Sequence, residues 1–286
     1  MSTEPAVSTE RAGVEEIPPS GQLVAITDAG RRPPLYCLHP ISGSAFVYAG
    51  LARSLGPDQP VSGFDAPGLD DGREPIGRFD ELCALYTEEL LRTAPAASYR
   101  LLGWSMGGTL AFDIAQRLVA AGARVPSLIL IDASVPEIWP LPAEPEMIAM
   151  FLSDLLQLSG ISAPGLDRAL AAMAPEVPPE VAFAEIERLG GLPEEIEADF
   201  LLERYRVFRA HLGGMYRHRI DRPYDGALIS IRAAASEPES MRWDTVAKAV
   251  TEHVLPGDHH SIWQGQSFAS LVRLVRESLD AAGEDR

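Results

Sequence analysis

Short apolar runs alternate with longer amphipathic stretches along most of the chain from residue 22 onwards. The apolar runs predict strands at residues 23–27, 35–38, 60–64, 99–102, 127–131, 227–233 and 251–255. The amphipathic stretches predict helices at residues 46–55, 79–94, 109–121 and 261–281. The run at 127–131 is apolar on both faces, which is typical of a strand inside a parallel sheet that helices cover. The pattern therefore predicts an α/β fold with a mostly parallel sheet flanked by helices.

This alternation stops between residues 135 and 223. Several prolines come first, and helical patterns follow at residues 146–158, 180–189 and 193–212, without a convincing strand. The simplest organisation is one α/β domain over residues 22–286 with a helical insertion at about 135–223. Residues 1–21 are polar, acidic and proline-bearing, which predicts a disordered tail or a linker.

Insertions of this length with their own secondary structure typically form lids over active sites. Apolar residues at helical spacing are more often core than binding surface, so we expect most of those in the insertion to pack inward. The remainder of its inner face would line an apolar channel, and the prolines would form a strap at its mouth. The apolar positions are Met147, Met150, Phe151, Leu155, Tyr205, Phe208 and Leu212, and the prolines are Pro136, Pro140, Pro142 and Pro145.

A serine lies at the junction of a predicted strand and a predicted helix. Residues 101–108 read Leu-Leu-Gly-Trp-Ser-Met-Gly-Gly, in which Gly103, Ser105 and Gly107 fit the pattern G-x-S-x-G. In such a nucleophile elbow the serine stands above the strand ends, where Cβ atoms on either side would not fit. The following helix also directs N–H groups and its positive dipole end towards a developing oxyanion. We therefore predict that Ser105 is a nucleophile; an ordinary loop with a capping serine is the competing interpretation.

A serine nucleophile needs a base, and a histidine is the usual one. His259 and His260 occupy the loop 256–260 between the last predicted strand and the last predicted helix. Loops of this kind lie at the carboxyl edge of a parallel sheet, which is also the edge of the elbow. Neighbours in a short loop usually point in different directions, so we expect one of the two, with His259 preferred, to reach Ser105.

An acid is then needed to orient the histidine. Asp132 directly follows the strand at 127–131, in the loop one strand after the elbow. The competing position lies one strand later, where residues 234–239 contain Glu237 but no aspartate. We predict that Asp132 is the acid and keep Glu237 in reserve, although an aspartate after a strand also serves as a turn former or helix cap.

An oxyanion hole requires two N–H donors. The backbone of Met106, directly after the nucleophile, is expected to supply one of them. The other is expected from the loop after residues 35–38, where Ile41 or Ser42 can approach because Gly43 relaxes the backbone. Each such donor stabilises the transition state by roughly 3 kcal/mol.

Composition excludes several other classes of function. The net charge of −17 argues against nucleic acid or an anionic membrane surface as a partner. The apolar runs are too short to span a bilayer, and no secretory signal is visible at the N-terminus. Cys37 and Cys83 are expected to be buried thiols in a reducing compartment, which favours a cytoplasmic location. No Cys/His cluster has the spacing of metal ligands, so no metal site is predicted.

With these residues placed, the chain resembles the α/β-hydrolase thioesterase domains that end nonribosomal peptide and polyketide synthetases. The resemblance extends over about residues 23–279. Its specific elements are Leu-His-Pro-Ile-Ser-Gly at 38–43, Gly-Trp-Ser-Met-Gly-Gly at 103–108, Leu-Ile-Asp at 130–132 and Gly-Asp-His at 257–259. It implies that His259 is the catalytic histidine, whereas His260 lies where an aromatic residue is usual. The tryptophan directly before the serine, Trp104, makes the chain resemble the peptide-synthetase branch more than the polyketide-synthetase branch.

The resemblance implies a reaction and its partners. An acyl or peptidyl chain would pass from the phosphopantetheine thioester of a carrier protein to Ser105, and hydrolysis or macrocyclisation would release it. The partners would be an acyl or peptidyl carrier protein and a small-molecule acyl chain, and this domain would bind no cofactor itself. Similar free-standing editing (type II) enzymes tend to place the acid one strand later, so Asp132 favours the terminal (type I) kind. A type II enzyme, a general carboxylesterase and a catalytically inactive binding module remain as alternatives.

Overall fold

The computed structural model describes residues 22–160, 166, 170, 177–189 and 198–284. The predicted tail at residues 1–21 lies outside this described part, as does the beginning of the helix predicted at 193–212. Within the described residues, the alternation of strands and helices is the one that the sequence pattern predicts. The fold is therefore α/β.

Seven strands of the described chain form one sheet in the order β1-β3-β2-β4-β5-β6-β7. The strands are β1 (Leu23–Thr27), β2 (Leu35–Leu38), β3 (Val61–Phe64), β4 (Ser98–Trp104), β5 (Arg124–Ile131), β6 (Tyr224–Ala233) and β7 (Ala247–Leu255). Strand β1 pairs antiparallel with β3, and the other neighbours are parallel. The carboxyl ends of β2, β4, β5, β6 and β7 consequently meet at one edge of the sheet.

Helices cover both faces of this sheet. The helices of the described chain are α1 (Ala49–Leu55), α2 (Phe79–Thr93), α3 (Met106–Ala120), α4 (Glu144–Ser159), α5 (Pro179–Arg188), α6 (Ala198–Met215) and α7 (Gly265–Glu284). Side chains of β4 alternate between the faces: Leu101 joins the core under α2 and α3, whereas Leu102 and Trp104 join the core under α1 and α7. A short 3-10 helix, Ala45–Tyr48, precedes α1 where the sequence predicts one continuous helix.

Helices α4, α5 and α6 lie in the predicted insertion and share a core of their own. Met147, Phe151, Tyr205, Phe208 and Leu212 are buried in it, as expected for apolar residues at helical spacing, whereas Met150 is exposed. These side chains pack against one another, as expected for most of the apolar positions, and the cavity described below is lined by other residues of the insertion. Apolar stripes from three helices are enough to bury each other.

Four strands, β4 to β7, are longer than their apolar runs, and β7 and β5 show the reason. Strand β7 begins at Ala247 although the sequence predicts 251–255, and Lys248, Thr251 and Glu252 are exposed because the strand lies at the edge of the sheet. Strand β5 begins at Arg124, before the apolar residues 127–131, and its first residue is exposed. Hydrophobic patterning detects the buried part of a strand, so it misses solvated ends.

Candidate active site

The backbone at Ser105 makes the sharp turn that the glycine pattern predicts. Ser105 has φ 57° and ψ −130°, between the last residue of β4 and the first residue of α3. A Cβ atom on Gly103 would lie 1.9 Å from the carbonyl oxygen of Gly107. A Cβ atom on Gly107 would lie 2.2 Å from the carbonyl oxygen of Leu38. Glycine is therefore required at both positions, at Gly103 because the elbow folds back on itself and at Gly107 because the backbone of β2 lies against it.

Asp132 follows β5 and is held by three hydrogen bonds. Its Oδ1 accepts from the N–H of Ala233 at 2.7 Å, and its Oδ2 accepts from the Ser236 hydroxyl at 2.9 Å. Its Oδ2 also lies 2.7 Å from Nδ1 of His259. Burial alone would raise the pKa of Asp132, but the hydrogen bonds from His259, Ala233 and Ser236 outweigh it and hold that pKa below its usual value. Asp132 is therefore an ionised carboxylate with its oxygens fixed in place.

His259 lies in the loop between β7 and α7, and its ring stacks on Trp104. The two ring centroids are 4.9 Å apart at an interplanar angle of 30°. Because a carboxylate only accepts, the bond to Asp132 places the proton on Nδ1 of His259 and leaves Nε2 as the nitrogen with a lone pair. The histidine side chain is about one-third exposed, at 33%. It is thus oriented by an acid on one side and by an indole beneath it.

His260 points elsewhere, as expected for neighbours in a short loop. Its Nε2 lies 3.0 Å from Oδ1 of Asp154 on helix α4. Its ring meets Trp104 edge-on, with centroids 5.7 Å apart. His260 therefore packs as an aromatic ring beside the indole, and its contact with Asp154 also joins the loop 256–260 to the helical insertion.

Ser105, Asp132 and His259 all line one cavity of about 940 Å³. Glu237, the reserve acid, lines the same cavity, but no side-chain hydrogen bond joins it to His259 in the described residues. One wall comes from the segment 134–143, which includes Pro136, Pro140 and Pro142, and another comes from Met215 and Tyr216 at the end of α6. The cavity wall is mostly apolar, so it suits an acyl chain next to a small polar cluster.

The expected oxyanion donors belong to two different elements, a helix and a β-turn. Met106 is the first residue of α3 and also lines the cavity, so its N–H belongs to the unpaired donors of a helix N-terminus. Ile41 is the second residue of a β-turn that the Gly43 N–H closes onto the Pro40 carbonyl at 3.0 Å. Among the described residues, neither N–H donates a hydrogen bond to the protein. The N–H of Met106 is therefore available to an anionic oxygen in the cavity, whereas Ile41 is not among the residues that line it.

Three polar side chains near this turn were not predicted from the sequence as part of the site. His39, Tyr86 and His211 are buried and connected by ring contacts and hydrogen bonds. For His39 the sequence did contain a signal, because His39 and Pro40 lie inside the loop that was expected to supply an oxyanion donor. For His211 there was no such signal, because it lies at helical spacing between apolar residues and could not be distinguished from a core residue.

The sequence also led to expectations about the cysteines, metal sites and membrane-spanning segments. Both cysteines, Cys37 and Cys83, are buried free thiols, as expected. In the described part of the chain, no group of three or more potential ligands could hold a metal ion, and no helix has the length and apolar character needed to cross a membrane.

Comparisons with known proteins agree with this fold. A family model described as "Thioesterase domain" matches residues 33–145. Enterobactin synthase component F of Escherichia coli (strain K12) is 38% identical over 130 residues, which are 46% of this chain and 10% of that protein. The chain thus spans a small fraction of the length of its curated relatives.

Solved structures show the same architecture over nearly the whole chain. One is a four-domain nonribosomal peptide synthetase bound to AMP and glycine, with a TM-score of 0.74, 24% identity, and coverage of 91% of this chain and 20% of that chain. Another is the type II thioesterase BorB from the borrelidin biosynthetic cluster, with a TM-score of 0.66, 22% identity, and coverage of 90% of this chain and 97% of that chain. The α/β-hydrolase fold and the resemblance to the thioesterase domains of nonribosomal peptide and polyketide synthetases, both predicted from the sequence, are therefore confirmed.

Proposed function

We propose that the protein is a serine thioesterase that releases an acyl or peptidyl chain from the phosphopantetheine of a carrier protein. The observation that carries the proposal is the contact of 2.7 Å between His259 Nδ1 and Asp132 Oδ2, in the cavity that Ser105 also lines. An aspartate-oriented histidine beside a serine at an elbow is the arrangement that activates a hydroxyl for acyl transfer.

In the first half of the proposed reaction, Oγ of Ser105 attacks the thioester carbonyl and its proton passes to Nε2 of His259. The N–H groups of Met106 and Ile41 bind the resulting oxyanion. When the tetrahedral intermediate collapses, the C–S bond breaks, and the departing pantetheine sulfur takes the proton from His259. Asp132 remains ionised throughout and stabilises the imidazolium.

In the second half, water or an internal amine or hydroxyl attacks the acyl-Ser105 ester, and His259 removes its proton. The same oxyanion donors act again, and the proton returns to Oγ of Ser105 when the chain leaves. Water gives a free acid, and an internal nucleophile gives a macrocycle.

We further propose that the enzyme is of the terminal, product-releasing type and that residues 135–223 act as a lid. The position of the acid supports the first point, because Asp132 directly follows β5 and residues 234–239, directly after β6, contain no aspartate. The wall that segment 134–143 and the end of α6 give to the cavity supports the second. In the type II alternative, short misloaded acyl groups would be better substrates than long chains.

Intact-protein mass spectrometry after incubation with a panel of acyl-pantetheine thioesters tests the proposal. We expect a mass increase equal to the acyl group, located on Ser105 and missing from Ser105→Ala. Faster turnover of long peptidyl thioesters than of acetyl thioester would support the terminal type, and the reverse order would support the editing type. Hydrolysis of simple aryl esters without any acyl transfer from pantetheine would favour a carboxylesterase, and no reaction with either would favour a binding module.

A further inference from the structure

Two buried histidines are stacked beneath the turn that carries Ile41. His39 directly follows β2, whereas His211 belongs to helix α6 of the insertion, and their exposed fractions are 0% and 2%. Their ring centroids are 4.9 Å apart, and the rings are inclined by 14°. Burial lowers the pKa of His39 to about 3 and that of His211 to about 4. Both imidazoles are therefore neutral near pH 7, which allows them to lie face to face.

Each histidine binds one carbonyl group of the turn. Nδ1 of His39 lies 2.8 Å from the Pro40 carbonyl oxygen, and Nδ1 of His211 lies 2.8 Å from the Ile41 carbonyl oxygen. Because a carbonyl oxygen only accepts, both Nδ1 atoms carry the proton. The hydroxyl of Tyr86 lies 2.6 Å from Nε2 of His39 and donates to it, which fixes that tautomer.

These contacts fix the peptide planes on both sides of the Ile41 Cα atom. In a trans peptide the carbonyl and the next N–H point in opposite directions, and the described chain contains no cis peptide bond. The N–H of Ile41 therefore points away from His39, because the Pro40 carbonyl of the same peptide is bound there. The bond from His211 fixes the next plane, which is the central peptide of the β-turn. With both planes held, Ile41 cannot rotate its N–H group.

Helix α6 also lies directly against the turn. Gly43 has φ +86°, and a Cβ atom built on it would lie 2.8 Å from Cγ1 of Val207 and 3.6 Å from Cε1 of His211. Nε2 of His211 is buried and has no hydrogen-bond partner in the described residues. A buried polar atom without a partner costs stability, so a histidine here needs a reason beyond filling space. The bond from Nδ1 to the turn supplies that reason.

We propose that His211 is a positioning residue that, together with His39, holds the N–H of Ile41 towards the oxyanion formed at Ser105. The proposal rests on the proposed function, since it gives Ile41 the role of oxyanion donor. It makes the helical insertion a support of the catalytic machinery in addition to a cover over it. The insertion and the sheet domain would thus be coupled through one hydrogen bond to the Ile41 carbonyl.

Two substitutions of similar size separate this role from simple packing. The side-chain amide nitrogen of His211→Asn can take the place of Nδ1 and donate to Ile41, whereas that of His211→Gln reaches the place of Nε2. We expect His211→Gln to lower kcat about 10- to 100-fold with little change in KM, because a displaced oxyanion donor affects the transition state more than substrate binding. His211→Asn should stay within a few-fold of the unchanged protein.

A trifluoromethyl ketone with a short acyl chain provides a second measurement, because it forms an oxyanion on the serine. Its affinity should fall in His211→Gln by the same factor as kcat and recover in His211→Asn. His218→Gln is the matched control: this histidine stacks on Phe79 with ring centroids 4.3 Å apart, and both line a second cavity that no residue of the 40–43 turn lines. It should leave kcat and inhibitor affinity unchanged.

The outcomes separate this inference from the proposed function. Turnover that survives in Ser105→Ala would overturn the proposed function and this inference with it. If Ser105→Ala is inactive but His211→Gln retains full kcat and inhibitor affinity, the inference alone is overturned. Equal losses in the Asn and Gln variants would likewise overturn it, because a purely structural histidine has no preference between the two amides.

Discussion

The ring of His259 lies on the indole of Trp104, with ring centroids 4.9 Å apart. Trp104 is the last residue of β4 and is 1% exposed, so a rigid strand holds the surface on which the histidine rests. The residue directly before Ser105 therefore orients the base, and Ser105 and His259 line the same cavity.

The contact predicts that Trp104→Ala will lower both turnover and stability. Removing a fully buried indole should reduce the free energy of unfolding by about 3–5 kcal/mol. Loss of the surface beneath His259 should lower kcat about 10-fold or more. Trp104→Phe keeps an aromatic face and should recover most of kcat. Steady-state kinetics together with urea unfolding would check this, and an alanine variant with unchanged kcat would contradict the positioning role.

The hydrogen bonds of Asp132 predict the effect of a neutral isostere. Asp132→Asn should lower kcat by roughly 10⁴-fold, because an amide cannot accept from all of its present donors or stabilise the His259 imidazolium. Glu237→Gln is the matched control, since Glu237 lines the same cavity without a bond to the histidine. Single-turnover acylation would measure both variants. A larger loss in Glu237→Gln would identify Glu237, which follows β6, as the catalytic acid and would favour the editing type of enzyme.

Much of the fold was predictable because local patterns coincide with burial. Strands β1 and β2 have the predicted bounds, since their apolar residues are bounded by turn residues. The position of His259 followed from chain order and from the shared edge of a parallel sheet. His39 and His211 could not be paired in this way, because their contact joins residues far apart in sequence. Helical spacing beside apolar neighbours made His211 look like ordinary core.

The close approach of β2 to the elbow predicts that Gly107→Ala will not be tolerated. Its Cβ atom would lie 2.2 Å from the Leu38 carbonyl oxygen, and neither backbone can move without breaking the sheet. We expect loss of fluorophosphonate labelling and severe destabilisation. Gly213→Ala in α6 is the control, because its Cβ atom would meet only Nη1 of Arg217, at 3.8 Å. That change should be neutral or stabilise the protein by up to about 1 kcal/mol.

The buried histidines predict how stability depends on pH. The pKa of His211 is about 4 in the folded protein, below the value of about 6.5 for an exposed histidine. The unfolded chain therefore binds more protons between these values, and stability falls as pH decreases from about 6.5 to 4. Protonation of His211 lowers the free energy of unfolding by on the order of 3 kcal/mol in total, and this loss is complete once the pH is below the folded pKa. His39, whose pKa is about 3, acts in the same direction.

Urea unfolding at several pH values between 4.5 and 8 would measure this dependence. His211→Gln removes one of the two buried imidazoles and should flatten the curve over this range. A free energy of unfolding that does not change between pH 6.5 and 4.5 would contradict the burial of neutral imidazoles.

The proposed lid leads to a prediction for hydrogen exchange. Helices α4, α5 and α6 bury their apolar side chains in a core separate from the two cores of the sheet, so segment 134–159 can open locally while α6 stays bound to the Ile41 turn. Trp139 and Leu141 line the cavity and are nevertheless 57% and 40% exposed. An acyl chain on Ser105 would give these apolar groups a surface to cover.

We therefore expect the amides of residues 134–159 to exchange faster than those of β4 and β5 in the free protein. Exchange in this segment should slow when a non-hydrolysable acyl phosphonate occupies Ser105, whereas the sheet should change little. Ser105→Ala incubated with the same phosphonate is the control, because it cannot be labelled and should show no slowing. Protection in the free protein equal to that of the sheet, with no response to labelling, would make the insertion a fixed part of the fold and remove the lid from the proposed mechanism.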